Sequence, residues 1–246
     1  MGEGLRRQGR VLLNALFPRC CEGCGEELGA EDPELCWSCL ADLPRIQAPF
    51  CSVCGHPVEG RVDHGYVCSV CTRQERDFVM ARSALHYRGM SQDLVLAFKY
   101  RQAIWLRRFF FDCLDACAGA YFQGEPVSAV VGVPLHPARF RGRGFNQADI
   151  LAGHLAGRWG WGLLPKGTLR RVRQTPTQTR LTARQRISNV RGSFRVERPQ
   201  AVANLDVLLV DDVMTTGATV NECARVLRRA GARSVRVLTV ARGGHL

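Results

Sequence analysis

The chain has 246 residues, 46% of them hydrophobic, and a formal net charge of +12. That length buries a real core, as one large domain or two modest ones, but no stretch approaches the roughly 18 to 20 consecutive apolar residues of a membrane span. Near the start, VLLNALF from Val11 is short and broken by Asn14, so a soluble, intracellular, cytoplasmic protein is expected.

The cation is nearly all arginine, with lysine only at Lys99 and Lys166. Arginine's planar fork suits phosphate, which makes anionic ligands and polyanions natural partners. Codon bias toward arginine accounts for the same preference.

Nine of the twelve cysteines precede residue 72. Eight form CxxC pairs: Cys21 and Cys24, Cys36 and Cys39, Cys51 and Cys54, Cys68 and Cys71, separated by 11, 11 and 13 residues. Each tight turn aims two thiolates at one point, and two such turns complete a tetrahedral zinc site. CGEEL after the first pair and CGHPV after the third repeat one plan, so two successive zinc ribbons are the simplest grouping, with a crossed pairing also compatible with the spacing. Cys20 is then spare, and His56 and His64 read as loop residues. Four thiolates leave no open coordination position, so the zinc is expected to fold a small unit rather than do chemistry. A secreted disulfide scaffold fits poorly, because a long segment with only isolated cysteines follows.

From about residue 76 helical and strand-like segments alternate. SQDLVLAFKY has Ser91 as a prospective N-cap and Leu94, Ala97 and Phe98 on one face. Phe110, Cys113, Leu114 and Cys117 recur at helical spacing, which makes both cysteines core. Strands are expected at 127–133, 205–210 and 235–240, and helices through Ala148, Leu151, Ala152 and Leu155 and through Val220, Cys223, Ala224 and Leu227, the latter stopping near Gly231. The alternation predicts a doubly wound, mainly parallel α/β sheet in residues 76–246, preceded by a double zinc ribbon in residues 1–75.

Ligands of open α/β sheets sit at the carboxyl ends of the strands, where VLLVDDVMTTGATV presents Asp211 and Asp212. MTTGAT then turns directly into a helix, converging hydroxyls and backbone N–H groups at its positive end. Carboxylates that accept from sugar hydroxyls, next to a loop that wraps a phosphate, describe a ribose 5-phosphate. Gly217 and Ala218 are small enough to let the backbone approach it.

This stretch resembles the phosphoribosyl pyrophosphate (PRPP) motif of type I phosphoribosyltransferases. The resemblance puts Asp211 and Asp212 on the ribose hydroxyls and wraps Thr215, Thr216, Gly217, Ala218 and Thr219 around the 5-phosphate. Together with VPLHPARFRGRGFNQADILA (133–152), RRVRQTPTQTRLTARQRISNVRGSF (170–194) and the paired CxxC turns, the chain from about Phe17 to Arg242 resembles the ComF family, which includes GntX-like proteins. Competence-associated members handle DNA taken up during natural transformation and carry a phosphoribosyltransferase-like portion. The resemblance implies a pyrophosphate loop at Pro134, Leu135, His136 and Arg139, with Arg139 and Arg143 pairing the pyrophosphate in front of Gly144, Phe145, Asn146 and Gln147. Arg141 reads as a solvated charge, and Asn146 serves equally well as a helix N-cap. Lys99 and Tyr100 match a family-like LKY element, and a surface lysine is the alternative. Residues 170–198 hold nine arginines against Glu197 alone. There, family-like Thr175, Pro176, Gln178, Leu181, Arg186 and Asn189 imply a loop that closes over the ligand, and the same arginines suit nucleic-acid phosphates.

An enzyme of this kind displaces pyrophosphate from C1 of PRPP, with magnesium neutralising the pyrophosphate and Asp212 the best choice of general base. The competing reading is a PRPP sensor or adaptor whose ribbons and arginines dock single-stranded DNA or a DNA-uptake helicase. No segment specifies a purine, pyrimidine or other acceptor, so the sequence supports capture of the ligand more firmly than turnover.

Overall fold

A computed structural model describes residues 19–29, 32–62, 65–174 and 188–244. Five strands form one parallel sheet in the order β1 (Met80–His86), β7 (Ser234–Arg242), β6 (Asp206–Met214), β2 (Ala129–Gly132) and β3 (Gly162–Leu163). The central pair reads DVLLVDDVM and SVRVLTVAR, near-continuous apolar runs as expected for strands covered on both faces. Gly132 is required where β2 meets the helix α6 (Gln147–Trp159), because a Cβ there would lie 2.6 Å from the Ala148 carbonyl carbon.

One face is covered by α3 (Met90–Tyr100), α4 (Arg107–Tyr121) and α6. Phe98, Phe110, Leu114, Leu151 and Leu155 pack there against Leu208, Val210 and Leu238. Cys113 and Cys117 are buried in this layer, as their spacing implied. The other face is covered by α7 (Ala218–Arg229) and an antiparallel hairpin, β4 (Leu169–Arg171) with β5 (Phe194–Val196). Among the described residues no helix is long and apolar enough to cross a membrane.

The two cysteine-rich units, which carry the short helices α1 (Trp37–Ala41) and α2 (Ser69–Arg73), divide between these layers. Cys21, Leu35 and Leu43 join the first core, while Cys51, Cys54 and Cys68 join the second. Between them the chain runs along the outer edge of β1. His86 donates to the Pro44 carbonyl (2.7 Å), Ile46 to Ala84 (2.9 Å) and Ala81 to Val53 (2.7 Å). A strand edge that would otherwise template aggregation is thereby paired.

Two local expectations change. Gly89, at φ 51°, caps α3 instead of Ser91, which lies buried in the first turn with its hydroxyl turned back to the carbonyls of His86 and Arg88. The strand predicted at 205–210 runs on to Met214, because β7 continues to pair with it through Arg242. Asp211 and Asp212 therefore belong to the strand itself.

Candidate functional site

Successive residues of a strand point to opposite faces, so the two acids diverge. Asp212 reaches Lys99 at the end of α3, with the ammonium nitrogen 2.8 Å from Oδ1 and both side chains largely buried. Burial alone would lower the Lys99 pKa, but the Asp212 carboxylate outweighs it and holds it above the usual range. Asp211 lies near Arg171 of β4 and Cys223 of α7. Burial, reinforced by repulsion from Asp212, raises its carboxyl to about 7, against the pull of Lys99 and of the Asp212 N–H that it accepts at 2.9 Å.

Lys99 opens onto a cleft of about 270 Å³ lined by Tyr100, Gln102, Arg139, Gly142 and Arg143. Arg139 and Arg143 lie on α5 (Pro137–Arg143), whose C-cap Gly144 adopts φ 82°. Arg143 donates to Gln147 Oε1 (2.7 Å) and stacks its guanidinium 5.1 Å from the Tyr100 ring centroid. Gln147, buried at the start of α6, in turn donates to the Phe98 carbonyl. Three cations thus share one small cleft beside an acid.

The loop after β6 turns into α7 at Gly217, whose φ of 76° suits only glycine well and whose Cβ would meet Met214 Cε at 2.7 Å. Thr215 and Thr216 precede it, and Ala218 and Thr219 open the helix. The Ala218 N–H donates to Thr216 Oγ1 at 3.4 Å.

Of the residues assigned to a pyrophosphate loop, Arg139 and Arg143 meet Lys99, whereas Pro134 and Leu135 line a neighbouring cavity of about 520 Å³ with Phe140, Asp149 and Leu164. His136 instead caps α5, its Nδ1 accepting from Ala138 N–H. Asn146 occupies the N-cap position of α6, yet its amide donates to the Val133 carbonyl and ties the loop after β2 to that helix. Thr175, Pro176, Gln178, Leu181 and Arg186 lie outside the described residues. The segment that follows them is anchored to α7 by Gly192 N–H on Glu222 (2.7 Å). Sequence pattern does not single out Arg171 or Gln147 as neighbours of the acids and of Arg143. An arginine buried beside Asp211 is indistinguishable in sequence from the exposed ones around it, and Gln147 was visible only as part of RGFNQ.

The eight CxxC cysteines form two tetrads, Cys21, Cys24, Cys36 and Cys39, and Cys51, Cys54, Cys68 and Cys71, each with its sulfurs within 4.8 Å of one another. The pairing is sequential, and Cys20 and His56 belong to neither tetrad. Zinc–sulfur bonds of about 2.3 Å in a tetrahedron separate the sulfurs by about 3.8 Å. The Cys24–Cys36 and Cys54–Cys68 sulfur distances, 3.7 Å each, match that spacing and are far longer than a disulfide. Both units repeat one knuckle: Cys36 and Gly23 donate N–H groups to Cys21 Sγ, as Cys68 and Cys54 do to Cys51 Sγ. Hydrogen bonding from its neighbour Cys54, with these N–H groups, brings Cys51 down to about 4, against its burial. The donor set fits structural zinc at two sites.

Two domain families match the chain. The double zinc ribbon domain family matches residues 12–74, and the phosphoribosyl transferase domain family matches residues 141–246. The chain is 34% identical to the DNA utilization protein YhgH of Salmonella typhi, over 85% of this chain and 97% of the relative. Identity to Competence protein F of Haemophilus influenzae is 30%, over 94% of this chain and all of the relative. The chain belongs to the ComF family. A more distant ComF-family relative, Competence protein ComFC of Bacillus subtilis, is 28% identical over 86% of the chain and 85% of its own length. Lys99 and Arg139 precede the matched phosphoribosyl transferase segment, so in this ComF-family chain the cationic cleft draws on residues outside it.

Proposed function

We propose that this ComF-family chain binds PRPP in the presence of magnesium and acts in the cytoplasmic handling of incoming single-stranded DNA. The observation that carries the ligand assignment is the cleft of Lys99, Arg139 and Arg143 next to Asp212, with the loop of Thr215 to Thr219 at the start of α7. Pyrophosphate supplies the charge those three cations match, the ribose hydroxyls donate to Asp211 and Asp212, and the 5-phosphate sits at the positive end of α7. Pro134, Leu135 and His136 shape the adjoining loop. Magnesium supplies charge neutralisation on the pyrophosphate oxygens when bound with PRPP.

A second reading, a PRPP sensor or adaptor without turnover, draws support from the Lys99–Asp212 pair. A carboxylate held 2.8 Å from an ammonium is a poor proton acceptor, so the general-base role of Asp212 requires the ligand to part them. Isothermal titration with magnesium and PRPP should give saturable binding that Asp211→Ala with Asp212→Ala abolishes. Binding that survives both substitutions would remove these acids from the site. Pyrophosphate release across acceptor candidates separates the two readings.

The names of the relatives, for competence and DNA utilization, and the net charge of +12 support single-stranded DNA as a partner. Between residues 19 and 45, seven acids oppose two arginines, so the first ribbon is unsuited to a phosphate backbone, and the arginines of 170–198 are the better contact. A DNA-uptake helicase is the protein partner in keeping with this role. In a gel shift, affinity for single-stranded DNA should fall steeply as salt rises; salt-independent retention argues against arginine–phosphate contacts.

A further inference from the structure

The second tetrad lies under the phosphate loop in a way that the first does not. Its closing segment continues to Arg76 and Asp77, and Asp77 locks onto the first half of α7 through two hydrogen bonds: its N–H donates to Asn221 Oδ1 (2.9 Å), and its carboxylate accepts from Asn221 Nδ2 (3.0 Å). This places Arg76 Nη1 3.9 Å from where a Cβ of Gly217 would stand. The same guanidinium lies beside Cys71 of the tetrad. From the other side Arg242, at the end of β7 and 4% exposed, donates Nη2 to Cys54 Sγ at 3.6 Å. Nε of Arg76 and both Nε and Nη1 of Arg242 are buried without a hydrogen-bond partner among the described residues. Next to them, the Gly243 N–H donates to the Met214 carbonyl at the mouth of the loop (2.9 Å).

Electrostatics makes this placement informative. A guanidinium beside the first residues of a helix meets the positive end of its dipole, an unfavourable pairing unless anions lie close by. Zinc with four thiolates is dianionic and accounts for one side of Arg76. The side toward Gly217 calls for a second anion. We propose that Arg76, set by the second cysteine tetrad, contacts the phosphate held by the loop and raises the affinity of that loop for a phosphomonoester. The inference rests on the reading of the loop given under Proposed function and adds a residue supplied by the ribbon segment.

The test compares ribose 5-phosphate with inorganic pyrophosphate by isothermal titration on the full, zinc-loaded chain. Arg76→Gln should weaken ribose 5-phosphate by about tenfold, the order of one charge-assisted hydrogen bond, while pyrophosphate, held by Lys99, Arg139 and Arg143, keeps its affinity. Arg76→Lys should recover most of the loss. Zinc per chain, measured alongside, should stay at about two in both variants. Ribose 5-phosphate binding unchanged in Arg76→Gln, or an equal loss of both ligands that Arg76→Lys does not rescue, overturns the assignment of Arg76. A wild-type chain that binds neither ligand instead overturns the reading of the site as a whole, and with it the role of Arg76.

Discussion

At Asp211 the fold disfavours the charge of its own side chain. Its carboxyl titrates near 7 in the folded chain, against an ordinary value of 3.8, because burial and Asp212 disfavour its charge. The unfolded chain therefore binds fewer protons at this position than the native one between about pH 4 and 7, and stability falls as pH rises through that window. Asp211→Asn should flatten this slope and leave the ligand-free protein more stable than wild type above pH 7, as thermal melts across pH would read. An unchanged slope would mean that another group dominates. The sequence displayed the two acids plainly but not their divergence. Strand geometry sends the Asp212 side chain to Lys99 and the Asp211 side chain toward Arg171.

At the scale of the elements, β2 and α6 meet closely at Gly132. Gly132→Ala would push a methyl group into the Ala148 backbone, which has no flexible end to yield, and should cost about 2 kcal/mol in urea unfolding. A loss well under 1 kcal/mol would show that α6 slides freely on the sheet. Periodicity made the helices and central strands legible, because buried parallel strands are apolar throughout and the helices are apolar on one face. It could not mark where β6 ends, since pairing with β7 carries the strand through two acids that local preference assigns to a loop. Ser91 misled for a related reason: a serine before an apolar run signals a cap, but the turn ahead of it already had Gly89.

At the scale of the molecule, the ribbons are continuous with the α/β core. Each tetrad seals one layer, and the segment between them covers the edge of β1. Removing zinc with a chelator should therefore lower the melting temperature of the whole chain by more than about 10 °C, at roughly 2–4 °C per kcal/mol for a protein of this size. It should also raise light scattering as the strand edge is uncovered. A melting temperature unaffected by chelation would separate the ribbons energetically from the sheet. CxxC spacing revealed the zinc sites, but nothing in their sequence indicates which sheet face each one covers, because that depends on contacts made far along the chain.

The pairing of β1 with β7 has a consequence for how the chain is made. Met80 lies against Arg236 and His86 against Arg242, so the strand that follows the ribbons has its neighbour within the sheet in β7, far along the chain. During synthesis the second ribbon can gather its four cysteines early, yet Arg242 cannot reach Cys54 until β7, far along the chain, has emerged. Closure of the sheet and completion of the charge around the second zinc site are thus one late event, and a chain that stalls before β7 is left with neither.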